Sequence, residues 1–169
     1  MTKTTPRSCT PCTACCDGWL QLSVNNQQIG FANPCTHISD KGCGIYTDRP
    51  VDPCQNFMCA WVNKNSLLPD WMRPDLSKVI LIHNKYIWNQ LPVSALVSIE
   101  ETINEDVLSW AAKHVLAAGD NIIAIQTFST DQSPPKTKIT LIGSDEYKKD
   151  IGNLLRSGKF SLNSKNLSL

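Results

Sequence analysis

Residues 60–169 contain no cysteine, although the chain carries eight. All eight lie between Cys9 and Cys59, so the thiols do not staple the chain as a whole. There is no excess of either charge: 16 basic residues face 15 acidic ones, for a net charge of +1. That balance leaves no electrostatic footprint for a phosphate backbone, so no nucleic-acid partner is expected. No run of eighteen apolar residues exists, which argues against a membrane-spanning helix, and no membrane role is expected. The opening stretch MTKTTPRS has no apolar segment, so no secretory signal is expected and the compartment read from the sequence is a reducing cytoplasm. Also missing are an internal repeat and a glycine-rich strand-to-helix loop of the kind that holds a methyl donor.

What is present is a dense thiol cluster. The spacing is C9-x2-C12-x2-C15-C16, followed by Cys35, Cys43, Cys54 and Cys59. In a reducing compartment clustered cysteines bind metal more often than they form disulfides. Disulfide scaffolds replace a core, whereas the cysteine-free remainder here is apolar enough to build one. Cys15 and Cys16 are adjacent and poorly placed to pair with each other. Thiolate is a soft ligand, suited to zinc, copper(I) and iron–sulfur clusters and unsuited to magnesium or calcium. The repeated C-x2-C step resembles the triple that opens bacterial ferredoxin motifs, although no cysteine follows Cys15 at the ferredoxin distance. Eight thiols suffice for two four-sulfur zinc sites, or for one cubane 4Fe-4S cluster with up to four cysteines to spare. Spacing alone does not choose between them.

Around the cluster the sequence predicts mostly loop. Residues 1–8 are polar and read as a disordered N-terminus. Trp19, Leu20, Leu22 and Val24 suggest a short strand closed by the turn-prone Asn25-Asn26. Gly30, Pro34, Gly42, Gly44 and Pro50 break the chain across 30–54. Asp52-Pro53 resembles a helix start, predicting a short helix to about Val62 that carries Cys54, Phe57, Met58, Cys59 and Trp61. Further on, Val79–His83 and Tyr86–Leu91 flank Asn84-Lys85 as a hairpin, and Ala95–Ile99 adds a third strand. Thr102-x-x-Glu105 resembles a capping box before a helix over 104–118, with Gly119 as its stop. Its apolar face is Val107, Ala111 and Val115 with Leu108, Ala112 and Leu116. Ile122–Phe128 and Lys138–Ile142 read as strands separated by a polar loop, and Ser144 as the cap of a last helix to Arg156. The tail from residue 158 reads as loose. The fold class predicted is α+β: a loop-rich N-terminal cysteine module, residues 9–75, packed on a small antiparallel sheet with two helices, residues 76–157, in one compact unit.

The order of the spaced elements carries a resemblance. After C9-x2-C12-x2-C15-C16 come Pro34-Cys35, then Gly42-Cys43-x-Ile45-Tyr46-x-x-Arg49-Pro50, then Cys54-x-x-Phe57-x-Cys59. This pattern over about residues 9–61 resembles the YkgJ-type cysteine-cluster family of zinc- or iron-chelating proteins. The stretch Leu68-Pro69-Asp70-Trp71-Met72-Arg73-Pro74-Asp75 extends the likeness to small members. One departure is Gln55, where many members carry a basic residue. The resemblance implies cysteine ligation. A related region in flagellin lysine methylating enzymes, associated with an iron–sulfur cluster, tilts the reading towards iron–sulfur over zinc.

Cys9, Cys12, Cys15, Cys16, Cys35, Cys43, Cys54 and Cys59 are therefore the candidate metal ligands. His37, two residues after Cys35, is a candidate ligand or a hydrogen-bond donor to sulfur. Tyr46 and Arg49 are candidates for tuning the site from beside the ligands; Arg49 could equally pair with Asp48 or Asp52 on the surface. Phe57, Trp61 and Trp71 read as shielding. His83 and His114 have no cysteine nearby in sequence and read as structural, and Asp145, Glu146, Lys148 and Lys149 as solvated helix charge. A nucleophilic cysteine would need a base and an orienting group, and Cys35 with His37 is the single local pair, without a strained elbow. The function expected is an iron–sulfur or zinc protein with a redox, metal-handling or maturation role, alongside a structural zinc module that docks an unspecified protein partner, or a cluster-dependent enzyme. No catalytic residue is assigned.

Overall fold

The computed structural model describes residues 7–129, 134–163, 165 and 167. The chain divides into two units, one ending at Ile80 and one beginning at Leu81, a few residues beyond the boundary expected at 75/76.

The first unit is loop and short turns, as its glycine and proline content predicts. A wide helical turn over Cys15–Trp19 carries the adjacent cysteines. It leads into strand β1 (Leu22–Val24), which pairs antiparallel with β2 (Gln27–Ile29). Asn25 and Asn26, with φ of 49° and 66°, close this hairpin, the mirror-image turn that matches strand twist. A second small hairpin pairs β3 (Ile38–Ser39) with β4 (Gly42–Cys43). The helix expected from Asp52 to about Val62 does not form. A single wide turn over Val51–Gln55 carries Cys54, and the chain then runs irregularly past Cys59. A segment this short gains little from helix formation alone, and beyond Cys59 the chain makes a tight turn in which Val62 N–H donates to Cys59 O at 3.2 Å. A 3-10 turn (Asp70–Met72) and the one-turn helix α1 (Pro74–Ser77) close the unit.

The second unit is built on a four-stranded sheet in the order β5-β6-β7-β8. β5 runs without a break over Ile80–Trp88, and β6 covers Leu91–Ser98. The hairpin turn is Asn89-Gln90, with φ of 46° and 66°, and not Asn84-Lys85. Asn84 does take a left-handed φ of 52°, but inside the strand. Core burial selects this register: Tyr86, Trp88, Val93 and Ala95 all enter one cluster. α2 (Glu105–Ala118) then connects β6 to β7 (Asn121–Phe128). That crossover makes β6 and β7 parallel, so the sheet is mixed and not the purely antiparallel one expected. β8 (Lys136–Ile142) returns antiparallel, and α3 (Asp145–Arg156) packs Tyr147, Ile151 and Leu154 against Ile123 and Ile125. β7 is buried from Asn121 through Gln126, on both faces.

The α2 cap lies two residues later than the sequence suggests. The Asn104 side chain, not Thr102, accepts the Asp106 N–H at 2.7 Å. Gly119 ends the helix in the left-handed region, and Ser144 caps α3 by accepting from Tyr147 N–H, both as predicted. The tail is docked where it is described: Leu167 N–H donates to Ile87 O, Ile87 N–H donates to Lys165 O, and Leu167 is buried. The polar loop between β7 and β8 lies largely outside the described residues. Among those described, no helix is long and apolar enough to cross a membrane.

Candidate metal centre

All eight cysteines are unpaired thiols, and all eight line one cavity of about 100 Å³ in the first unit. Three kinds of local structure bring them there. The Cys15–Trp19 turn holds Cys15 and Cys16, with Cys16 N–H on Thr13 O at 2.7 Å. Gly18 makes this turn fit. Its φ is +82°, and a Cβ added there would land on the Gly30 carbonyl oxygen. Glycine alone permits the turn to lie this close to the end of β2.

The second device is a set of backbone bonds that fold the middle of the chain onto Cys16. Cys35 N–H donates to Cys16 O at 2.8 Å. β3–β4 pairing sets Cys43 opposite Ile38, and Gly44 N–H donates to His37 O at 2.8 Å. Cys16, Cys35 and Cys54 all pack in the small apolar cluster of Val24, Ile29 and Leu22.

The third device was not legible in the sequence. Arg7, assigned to a disordered N-terminus, is a clamp: its guanidinium donates to Trp61 O, Ser66 Oγ, Leu68 O and Asp70 Oδ1. It also lies 4.7 Å from the Trp61 ring centre. This ties the residue two before Cys9 to the residue two after Cys59. Only a Cys-flanking arginine hinted at it, and such a signal is too common to read. The stretch 68–75 also joins the site, because the Asp75 N–H points at the Cys12 thiol and Pro74 lines the cavity.

Electrostatics follow from this crowding. Burial pushes the Cys15 thiol well above its ordinary range, and repulsion from Cys59, Cys12, Cys16 and Cys9 adds to it. Burial pushes Cys16 up to about 12, with Cys35, Cys43 and Cys54 adding repulsion. Cys54 is raised by burial and by Cys35 and Cys43, against a lowering pull from Arg49. Cys59 is raised by burial but opposed by the N–H groups of Val62 and Trp61. Cys12 is likewise raised by burial and opposed by the N–H groups of Ala14 and Asp75. Several thiolates in one apolar cavity repel one another unless a cation compensates them. Backbone N–H groups aimed at sulfur would then stabilise the ligated thiolates.

The remaining candidates fall as follows. His37 lines the cavity. Among the described residues Arg49 makes no ion pair with Asp48 or Asp52. Its guanidinium lies 3.9 Å from the ring centre of the half-exposed Tyr46. Gln55 donates from Nε2 to Arg49 O at 2.7 Å, which anchors this stacked pair beside Cys54. Phe57 and Trp61 shield the cavity as expected, whereas Trp71 is 41 % exposed and does not line it. His114 Nε2 sits 3.3 Å from Asp120 Oδ2 and its ring stacks on Trp110, away from any thiol. Lys148 pairs with Asp145 on the surface of α3.

The donor chemistry fits a soft metal: eight sulfurs, two buried and six half-buried, without competing disulfides. Among the described residues, no group of three or more Cys, His, Asp or Glu side chains is placed so as to hold a metal ion. The thiols are neighbours, and binding would have to draw them inward. No family model matches the chain, and neither a curated protein nor a solved structure matches it.

Proposed function

We propose that this chain is a cysteine-ligated metalloprotein of the YkgJ type, holding iron–sulfur in preference to zinc, with a redox, metal-handling or maturation role in the cytoplasm. The observation that supports it is the convergence of all eight thiols on one apolar cavity. Thiols buried for packing alone would gain nothing from mutual proximity, and their ionised forms would repel. An iron–sulfur centre in such a place would supply electron transfer or Lewis acidity, while this chain's own contribution is the shielding and the N–H groups on Cys12 and Cys59.

The preference for iron–sulfur rests on the repeated C-x2-C step and on the family resemblance. The test is metal and acid-labile sulfide content of protein purified without oxygen. Iron with matching sulfide is the expected result. Zinc without sulfide would replace the cluster by a structural or metal-handling zinc centre. Stoichiometric absence of both would overturn the metal reading.

A further inference from the structure

Resting on the metal-binding reading, the arrangement of the thiols carries a more specific statement. We infer that the eight cysteines form two four-thiolate metal sites, one from Cys9, Cys12, Cys15 and Cys59 and the other from Cys16, Cys35, Cys43 and Cys54. Spacing does not produce this division. It splits the adjacent pair Cys15-Cys16 between sites and sends Cys54 and Cys59, five residues apart, to different ones.

Backbone geometry assembles the second set. Cys35 is bonded to Cys16 through the main chain, β3–β4 pairing returns Cys43 alongside, and Cys54 joins Cys16 and Cys35 in the Val24–Ile29 cluster. The turn that carries Cys54 also contacts β1, which is part of that cluster. A different set of contacts assembles the first. The Arg7 clamp brings the start of the C-x2-C-x2-C run to the loop after Cys59, and Asp75 reaches Cys12 from α1.

The electrostatic neighbours of each thiol divide the same way. Cys59 feels Cys9 and Cys12, and Cys12 feels Cys9. Cys16 and Cys54 both feel Cys35 and Cys43. Cys15 feels Cys59, Cys12 and Cys9 of its own set and also Cys16, its neighbour in the chain. Four sulfurs complete the shell of a tetrahedral zinc or of a cubane cluster, so each set is of the size that one centre requires. Ligation would release the thiol protons to solvent and close each set by swinging the side chains inward.

Two experiments test the division. In the first, metal per chain is measured for anaerobically purified wild type and two double variants. Two centres are expected in the wild type, about eight iron with about eight sulfide, or about two zinc. Cys9→Ser with Cys59→Ser should keep half of that metal, because both losses fall in one site. Cys9→Ser with Cys43→Ser should keep none. One centre per chain in the wild type, or equal losses in the two variants, would overturn the division while leaving metal binding intact. A metal-free wild type would instead overturn the function it rests on.

The second experiment needs no variant to fold. Wild-type protein is treated with stepwise chelator and alkylated, and the labelled cysteines are mapped by mass spectrometry. A four-label intermediate carrying one complete set supports the division. A four-label species mixing the two sets, or labels appearing one at a time across both, would overturn it.

Discussion

At the residue scale, the site depends on side chains and glycines whose roles come from what they meet in space. Gly18 and Gly119 both have positive φ, +82° and +72°. A Cβ at Gly119 would meet nothing within 4 Å, whereas one at Gly18 would meet the Gly30 carbonyl. Gly119→Ala should therefore cost only the conformational penalty, about 1–2 kcal/mol. Gly18→Ala should cost more, about 2–4 kcal/mol, because backbone must also shift. It should also lower metal retention, since the turn carries Cys15 and Cys16. Denaturant melting of both variants with metal analysis checks this, and equal costs would mean that the close approach to Gly30 carries no weight. All eight thiols and the shielding roles of Phe57 and Trp61 were legible as residue types. Arg7 was not, because a clamp is defined by four acceptors scattered over 61–70.

At the element scale, regular structure was legible where periodicity and caps agreed. α2 and α3 begin and end close to where the sequence places them, because amphipathic spacing, an N-cap and a C-terminal glycine or basic residue all point the same way. Disagreement arose where two signals competed. Thr102 and Asn104 are both cap residues, and the structure uses Asn104. Asn104→Ala should cost about 1 kcal/mol and Thr102→Ala only a few tenths. Thermal melting of the two variants would decide it, with an equal or larger loss for Thr102→Ala counting against the assigned cap. Asn84-Lys85 and Asn89-Gln90 compete in the same way for the hairpin. Local propensity could not separate them, because the choice depends on which register buries Tyr86 and Trp88 beside Val93 and Ala95. The short helix predicted through Cys59 is replaced by a wide turn at Val51–Gln55, with Asn56 N–H on Val51 O, and by a tight turn with Val62 N–H on Cys59 O.

At the scale of the whole molecule, the two units differ in what holds them together. The second has a core of Tyr86, Trp88, Ile123, Ile125, Tyr147 and Ile151 around a paired sheet. Among the described residues the first has two hairpins of two- and three-residue strands, a small apolar cluster around Val24, Ile29 and Cys35, and scattered buried apolar residues such as Leu20, Leu68 and Met72, without an extended sheet to hold them. Metal ligation should therefore supply much of the folding free energy of the first unit. Removing the metal from the intact chain should raise hydrogen exchange across residues 9–61 first, while β6 and β7 stay protected. An equal rise in both units would mean that the thiol sites do not stabilise the first one selectively.

The inventory of groups was readable along the chain. The sequence placed eight thiols between residues 9 and 59, an apolar remainder able to build its own core, and helix boundaries written by caps and periodicity. These properties are local, and local chemistry is what a sequence displays. The pairing of distant parts depends on the tertiary structure: the parallel neighbour made by the α2 crossover, the hairpin register, the Arg7 clamp, and the backbone bonds that fold Cys35 onto Cys16. Adjacent side chains can enter different sites, and residues fifty apart can share one, because the folded backbone sets the distances that ligation and burial obey.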